Sequence, residues 1–275
     1  MKSDFCCADF AFLDSGTGGI PYMLALKQKQ PSARCVYLGD TKHFPYGEKS
    51  VEEITECAAK SISLIVKKWS PHTLIIACNT ISVTALERLR SLFPKLPIVG
   101  TVPAIKLAAR LTLNKKIGFL ATNASVNSPY SKRLIDDFAE NCQVYCRGDP
   151  ELVRFIEKDF FTASIEQKKN AVKPAVDFFA SNGCDVIILG CTHFTHIADI
   201  MQLVAGNNVK VIDSREGVSR QAIRVESEDS SKKTEYLSES FKDMSFFATA
   251  AAPEEEKEYK LLCKRLDIPW GGIVQ

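Results

Sequence analysis

The sequence predicts an α/β protein of two similar domains, each with a mainly parallel sheet. Short apolar runs alternate with amphipathic helical stretches, which is typical of parallel βαβ units. Two of these runs, "TLIIAC" and "DVIILGC", end in a cysteine that polar residues follow. The stretches "FAFLDSG" and "IGFLATN" resemble each other and open similar runs. We therefore expect two similar halves related by pseudo-twofold symmetry.

Eight apolar runs have the length and composition of strands. They lie at residues 10–14, 35–40, 73–78, 97–101, 116–122, 143–147, 185–191 and 209–213. Three stretches predict helices, at residues 51–69, 164–182 and 254–266. The first of these helices has an apolar face made of Ile54, Ala58, Ile62, Ile65 and Trp69. The second ends at an Asn-Gly pair, which is a common stop signal for a helix.

The stretch "PKLPIVGTVPA" near residue 100 is rich in Pro and Gly and predicts a domain boundary. Because "VIDSREGVSRQAI" is similar to "FLDSGTGGI", we expect the chain to return to the first half there as a strand and a helix. The first domain is then residues 1–98 plus 209–275, and the second is residues 99–208. Residues 225–240 are polar and rich in serine, which indicates a mobile loop.

Composition excludes several classes of function. The net charge is +2 over 275 residues, with no basic block of the kind that binds nucleic acid. The first residues carry Asp4 and Asp9 and lack the uncharged apolar core of a signal peptide. No window approaches the roughly 18 apolar residues of a membrane span. We therefore expect a cytoplasmic protein with neither a nucleic acid nor a membrane as its partner.

The ten cysteines show no paired C-x-x-C spacing, and only four histidines are present, so we predict neither a disulfide framework nor a metal site. Eight of the thiols are expected to be structural or incidental: Cys6, Cys7, Cys35, Cys57, Cys142, Cys146, Cys184 and Cys263.

In open α/β sheets, ligands bind beyond the carboxyl ends of the strands. The first strand is followed there by Asp14, Ser15 and a glycine-rich stretch, "DSGTGGIP". It is no dinucleotide or P-loop motif, because Pro21 occupies the last glycine position and no Gly-Lys-Ser/Thr follows. The glycines predict a tight turn with Pro21 beginning a helix. A simple turn with an N-capping Asp or Ser is the alternative.

Further candidates follow other strands. The loop "GDTKHFPYG" contains Pro45, Tyr46 and Gly47, and is long enough to cover a pocket. An ordinary surface turn explains this composition equally well. Thr122 follows the strand that opens the second half.

Cys78 and Cys191 are the sharpest signal. A lone cysteine at the end of a buried strand is usually a small apolar filler, but here two occur in matched contexts. Asn79 and Thr80 follow the first, and Thr192 and His193 follow the second. These residues supply hydrogen-bond donors, and a helix is expected to begin after each cysteine. Both features favour the thiolate.

Two thiols that face one cleft from opposite sides suit the inversion of a stereocentre with an acidic hydrogen. One thiolate removes the proton, and the other thiol returns a proton to the opposite face. The two groups exchange roles when the substrate has the other hand. Nothing in the sequence singles out a lysine for a Schiff base, so no cofactor is expected.

The sequence resembles the glutamate racemases, which are cofactor-independent amino-acid racemases. The resemblance spans residues 10–215 and is carried by "FLDSGTGG", "YLGDTKHFPYGEKS", "IIACNTIS", "VGTVPAIK", "FLATNASV" and "ILGCTHF". It implies two α/β domains with the active site between them. It also implies that Cys78 and Cys191 are the two catalytic acid/base residues.

The resemblance extends to other residues. Asp14 and His193 are implied to assist the two cysteines, and Glu157, in "ELVRFIEK", to lie near the second. A carboxylate on a helix surface is the alternative for Glu157, and His43 is given no role. The residues implied to contact substrate or tune the thiols are Asp14, Ser15, Tyr46, Gly47, Asn79, Thr80, Thr192 and His193. The strand-end pattern adds Pro45 and Thr122 to the predicted substrate-binding set.

The function that the resemblance implies is interconversion of L- and D-glutamate, which supplies D-glutamate for peptidoglycan. The partner is then a small-molecule substrate, and a homodimer is an alternative to a single chain. A racemase of aspartate or another small amino acid stays open, because Asn and hydroxyl groups do not fix the side-chain length of the substrate. A decarboxylase that keeps one cysteine, and a non-catalytic redox or ligand-sensing α/β protein, are more distant alternatives. A sensor would exchange no α-proton and would form a reversible disulfide.

Overall fold

The computed structural model describes residues 7–228 and 244–275. Within these ranges the strands are β1 (Phe10–Asp14), β2 (Cys35–Gly39), β3 (Thr73–Ile76), β4 (Ile98–Gly100), β5 (Lys116–Ala121), β6 (Gln143–Gly148), β7 (Val186–Leu189), β8 (Lys210–Ile212), β9 (Met244–Ala248) and β10 (Trp270–Ile273). The α-helices are α1 (Ile20–Lys29), α2 (Val51–Trp69), α3 (Asn79–Leu92), α4 (Ile105–Leu111), α5 (Asn123–Asn127), α6 (Pro129–Ala139), α7 (Pro150–Lys158), α8 (Ile165–Ser181), α9 (Ala198–Ala205), α10 (Arg215–Glu228) and α11 (Pro253–Leu266). Short 3-10 helices lie at Thr41–His43, Tyr46–Glu48 and Thr192–Ile197.

The chain forms two compact units. The first consists of Met1–Thr101 and Arg215–Gln275, and the second of Val102–Ser214. The first unit contains a six-stranded sheet in the order β10-β9-β2-β1-β3-β4, and the second a four-stranded sheet in the order β6-β5-β7-β8. Neighbouring strands pair in parallel in both sheets.

The strand order repeats between the two units. The order β2-β1-β3-β4 of the first sheet recurs as β6-β5-β7-β8 in the second. The strands that open the two similar sequence runs, β1 and β5, therefore hold the same place in their sheets. The predicted α/β fold, with parallel sheets in two similar halves, is confirmed.

Helix α2 shows how the sequence determines an element. Its N-terminus has a capping box, in which the Glu53 N–H donates to Ser50 Oγ at 3.2 Å and the Ser50 N–H donates to the Glu53 carboxylate at 2.9 Å. The predicted apolar face is buried against the sheet core, which includes Leu74 and Ile76. The helices predicted at residues 164–182 and 254–266 also form, as α8 and α11.

The return of the chain to the first unit differs from the expectation. Residues 209–213 were expected to join the first half, but β8 pairs with β7 in the second sheet. Helix α9 connects β7 to β8 as a crossover, and such units place the two parallel strands side by side. The first unit resumes at Arg215, where α10 begins and then packs on α1.

Two further features differ from the sequence-based expectation. The loop predicted at residues 225–240 begins later, because α10 continues to Glu228. The remainder of that predicted loop lies outside the described residues. Strands β9 and β10 were not predicted; β9 pairs with β2, and β10 pairs with β9. No helix in the described ranges is long and apolar enough to cross a membrane.

Candidate active site

Each sheet has a point where the strand order reverses direction, and open α/β sheets bind ligands beyond the strand ends at such points. In the first sheet it lies between β1 and β3, and in the second between β5 and β7. Asp14 ends β1 and Cys78 follows β3. Thr122 follows β5 and Cys191 follows β7. Each cysteine therefore lies at the reversal point of its own sheet.

Cys78 occupies the N-cap position of α3 and is 4 % exposed. Its carbonyl accepts the first hydrogen bond of the helix, from the Ser82 N–H at 3.0 Å. The N-terminus of a helix carries a partial positive charge and stabilises an anion placed there. The position of Cys78 thus favours its thiolate.

Asn79 is the first residue of α3 and is 1 % exposed. Its side-chain Nδ2 and Oδ1 have no hydrogen-bond partner among residues 7–228 and 244–275. A buried amide left unpaired costs free energy, so native proteins normally satisfy such groups. A polar ligand with both a donor and an acceptor would satisfy it. Thr80, the next residue, is also buried.

Asp14 braces the glycine-rich turn after β1. Its carboxylate accepts hydrogen bonds from the Ser15 N–H and the Gly19 N–H, each at 2.7 Å, and from the Tyr37 hydroxyl at 3.2 Å. A Cβ at Gly19 would lie 2.6 Å from both the Cβ and the carbonyl oxygen of Ala77. Only glycine fits there, and Pro21 lies in the first turn of α1 as expected. The turn therefore packs directly against the residue that precedes Cys78.

The loop that contains Tyr46 is built around a buried aspartate, Asp40. Its carboxylate accepts hydrogen bonds from the Tyr46 hydroxyl, from His43 Nδ1 at 2.9 Å and from Thr249 Oγ1 at 2.9 Å. Burial, together with the negative charge of Asp40, raises the pKa of Tyr46, which keeps its hydroxyl protonated as a donor. Pro45 and Gly47 flank Tyr46: Pro45 is the N-cap of the 3-10 helix Tyr46–Glu48, and Gly47 lies within that helix.

Sequence reasoning missed two members of this cluster, His43 and Thr249. The signal for the first was its three-residue spacing from Asp40, because the two residues stand at the N-cap and the end of the 3-10 helix Thr41–His43 and so lie on one side of it. No local signal pointed to Thr249, which follows the unpredicted strand β9.

Cys191 follows β7 and is also 4 % exposed. The element after it differs from the expectation, because Thr192–Ile197 is a 3-10 helix and the α-helix α9 begins only at Ala198. The 3-10 turn places the His193 ring beside the sulfur, with Nδ1 lying 3.9 Å from Cys191 Sγ. A local side chain, rather than the N-terminus of a long helix, is therefore the partner of this thiol.

His193 also contacts Glu157, on α7, with 2.8 Å between His193 Nε2 and Glu157 Oε2. The two side chains are 2 % and 6 % exposed, so the alternative of a surface carboxylate for Glu157 is wrong. An ionised carboxylate only accepts hydrogen bonds, so Nε2 carries the proton. In the neutral ring Nδ1 is then an acceptor that faces the thiol.

The two predicted threonines of this unit are buried, and each takes part in a local hydrogen bond. Thr122 caps α5, where its Oγ1 accepts from the Ser125 N–H at 3.2 Å. The Thr192 carbonyl accepts from Thr195 Oγ1 at 2.7 Å. Substrate binding by Thr122 and Thr192 stays a prediction. Within the described residues, no group of three or more His, Cys, Asp or Glu side chains could hold a metal ion.

Comparison with known proteins shows to which family the chain belongs. The family model described as Asp/Glu/Hydantoin racemase matches residues 23–222. The chain belongs to this family. The glutamate racemase of Treponema pallidum (strain Nichols) is 39 % identical over 216 residues, which cover 78 % of this chain and 80 % of that protein. The resemblance inferred from the cysteine motifs is confirmed.

Solved structures of the family have the same fold. Escherichia coli glutamate racemase, in complex with L-glutamate and the activator UDP-MurNAc-ala, matches with a TM-score of 0.82 and 28 % identity, covering 97 % of each chain. Glutamate racemase from Francisella tularensis subsp. tularensis SCHU S4, in complex with D-glutamate, matches with a TM-score of 0.76 and 25 % identity, covering 98 % of this chain and 97 % of that one. The match to the family model ends before β9, so Thr249 lies outside it.

Proposed function

We propose that the chain is a glutamate racemase, an isomerase that interconverts L- and D-glutamate without a cofactor. The observation that carries the proposal is the pair of buried cysteines at equivalent strand ends, Cys78 after β3 and Cys191 after β7. Glutamate as the substrate is supported by the Treponema pallidum relative and by the two solved structures that contain L- and D-glutamate.

The reaction exchanges the hand of the α-carbon. One thiolate takes the α-proton, and the electron pair of the C–H bond stays on the carbon as a carbanion. The other thiol gives its proton to the opposite face and becomes the thiolate. Substrate of the opposite hand follows the same path in reverse. The chain therefore needs no oxidant, reductant or further reactant.

A free cysteine, with a pKa of about 8.5, is only a few per cent thiolate at neutral pH. The surroundings must favour the charged form. On this proposal, neutral His193 takes the proton of Cys191 through Nδ1, and the Glu157 carboxylate stabilises the imidazolium that forms. The N-terminus of α3 favours the thiolate of Cys78.

The carbanion requires groups that stabilise negative charge around the substrate carboxylate. The unpaired amide of Asn79 and the Thr80 hydroxyl lie beside Cys78 and can supply such hydrogen bonds. Asp14 fixes the turn that carries Ser15. The other predicted contacts, Pro45, Gly47, Thr122 and Thr192, belong to the same proposal.

The proposed role in the cell is supply of D-glutamate for peptidoglycan in the cytoplasm. The partner is then the free amino acid. The near-neutral net charge of the chain disfavours binding to a nucleic acid. A homodimer is a further part of the proposal, and sedimentation equilibrium would measure it.

The experiment that tests the proposal is proton NMR of purified protein with L-glutamate in D2O, combined with optical rotation. Loss of the α-proton signal together with decay of the rotation to zero is the expected result. An unchanged signal with both enantiomers of glutamate, but exchange with aspartate, would move the assignment to aspartate. No exchange with either amino acid, together with a reversible disulfide between Cys78 and Cys191, would support a sensor instead.

Cys78→Ser and Cys191→Ser should each abolish racemisation in both directions. Each variant keeps one thiol and should still exchange the α-proton of one enantiomer, a different one for each variant. Cys142→Ser is the matched control, because this half-buried thiol lies in neither cysteine environment, and it should leave the rate unchanged. A single variant at Cys78 or Cys191 that racemised at the unmodified rate would exclude the two-thiol mechanism.

A further inference from the structure

The loop between β2 and α2 is attached to a segment distant in sequence, at the end of β9. The Thr249 N–H donates to the Gly39 carbonyl at 3.0 Å, and Thr249 Oγ1 donates to Asp40 at 2.9 Å. The same hydroxyl accepts from the Lys42 N–H at 3.0 Å. Thr249 therefore uses both its backbone and its side chain to hold the start of this loop.

A second contact strengthens the attachment. Thr41 Oγ1 accepts from the Ala250 N–H at 3.1 Å and donates to the Ala250 carbonyl. Residues 249–250 are thus hydrogen-bonded to three successive residues of the loop that begins at Asp40, besides the backbone hydrogen bond to Gly39. The loop is consequently fixed to the carboxyl end of β9, the strand that pairs with β2.

Asp40 connects this attachment to Tyr46, because its carboxylate binds both Thr249 and Tyr46. Its carboxylate is fully buried and accepts from three side chains, on Tyr46, His43 and Thr249. A buried carboxylate is stable only when such donors satisfy its charge. Loss of one donor therefore disturbs the position of the carboxylate and of the other two donors.

Tyr46 in turn lies in the surroundings of Cys78. Both side chains belong to the same buried cluster, and the 3-10 helix Tyr46–Glu48 contacts α3, the helix that Cys78 caps. Since misplacement of a reacting group by about 1 Å can cost 100-fold in rate, the Tyr46 ring is well placed to control the reactivity of Cys78.

We propose that Asp40 and Thr249 are positioning residues for the thiol of Cys78: Thr249 holds Asp40, Asp40 holds Tyr46, and Tyr46 lies in the buried cluster that contains Cys78. This inference rests on the proposed racemase function and extends it to the C-terminal segment, beyond the 23–222 match to the family model. Neither residue exchanges a proton with substrate.

The first test is Thr249→Val, which keeps the shape of the side chain and removes the hydrogen bonds that the Thr249 hydroxyl makes. We expect kcat/KM for glutamate to fall about tenfold, and Thr249→Ser to restore most of it. Asp40→Asn should lower kcat/KM at least as much.

Thr112→Val is the matched control, because the Thr112 hydroxyl also donates to an aspartate, Asp185, at 2.6 Å, but at the start of β7. It should leave kcat/KM unchanged.

Two readouts separate positioning from a general structural effect. In a Tyr46→Phe background, Thr249→Val should have almost no further effect, whereas independent effects would multiply. The deuterium isotope effects on kcat/KM, measured with the two α-deuterated enantiomers of glutamate, should become unequal. The larger effect is expected for the enantiomer that Cys78 deprotonates, which the Cys191→Ser variant identifies.

Racemisation by Thr249→Val at the unmodified rate, multiplicative effects in the double variant, or equal isotope effects would each overturn the inference. The proposed function would survive all three results. An unmodified protein that racemises no glutamate would instead overturn the proposed function itself.

Discussion

His193 Nε2 lies 2.8 Å from Glu157 Oε2, while Nδ1 of the same ring faces Cys191 Sγ at 3.9 Å. The order thiol, imidazole, carboxylate is the arrangement by which nucleophilic and acid/base cysteines are commonly activated. The carboxylate fixes which nitrogen carries the proton, so the nitrogen that faces the sulfur is the acceptor of the neutral ring. All three side chains are buried, which strengthens these electrostatic interactions.

Glu157→Gln should lower kcat by about 100-fold, because the amide can present its N–H₂ to Nε2 and reverse the protonated nitrogen of His193. Circular dichroism follows racemisation in both directions. Glu151→Gln is the matched control, since Glu151 lies exposed in the first turn of the same helix, α7. Equal rates for the two variants would show that the carboxylate of Glu157 has no part in activating Cys191.

Gly19→Ala should destabilise the fold by about 1–3 kcal/mol, because its Cβ would lie 2.6 Å from Ala77 and the turn would have to move. Activity should fall as well, since the Gly19 N–H donates to Asp14. Urea unfolding measures the first effect. The control is Gly217→Ala, on α10, where a Cβ meets no atom within 4 Å and alanine should stabilise the helix by about 0.5–1 kcal/mol. Equal stability of the two variants would contradict the close packing at Gly19.

The elements that could be predicted from the sequence are those whose pattern is local. Strands β1 to β8 are short apolar runs, and the amphipathic face of α2 appears directly in its periodicity. Strand β10, "WGGI", escaped prediction because two glycines interrupt its apolar pattern. The position of β8 also escaped, because similarity to the first strand of the other half does not determine which sheet a strand joins.

The same distinction holds for the candidate site. The cysteines and the Asp14 turn are visible in sequence because each is a short motif at a strand end. The contact between Glu157 and His193 joins residues 36 positions apart, and only the resemblance to a known family indicated it. The contact between Asp40 and Thr249 spans 209 positions, and pairing of β9 with β2 creates it. Such pairs depend on topology, which local patterns do not contain.

Asp9→Asn should destabilise the fold at neutral pH and have less effect in acid. Burial raises the pKa of Asp9, but hydrogen bonds and the positive charge of Arg34 outweigh burial and hold this pKa below its ordinary value of 3.8. The stabilisation is therefore present above pH 3.8 and is lost as the pH falls through the lower pKa of the folded state.

Urea unfolding at pH 7, 5, 4 and 3 measures this effect, with an expected loss of about 1–2 kcal/mol at pH 7. The Arg34 side chain lies 2.8 Å from the Asp9 carboxylate, so an Arg34→Gln background should remove most of the pH dependence. A cost for Asp9→Asn that stays constant from pH 7 to pH 3 would contradict this account.

Cys184 and Cys263 should resist alkylation in the folded protein, unlike Cys78 and Cys191, the two thiols to which the proposed function assigns the activity. Burial, with a smaller contribution from the Asp185 carboxylate, raises the pKa of Cys184 to about 11, and burial raises the pKa of Cys263 to about 12. At pH 8 the thiolate fraction of a group with a pKa of 12 is about 10⁻⁴, and only the thiolate reacts.

With iodoacetamide at pH 8, loss of racemase activity should therefore parallel labelling of Cys78 and Cys191, and glutamate should slow both. Peptide mass spectrometry measures the labelling, and the same reaction in urea, where every thiol is exposed, is the control. Inactivation that parallels labelling of Cys263 instead would contradict both its burial and the assignment of the two active thiols.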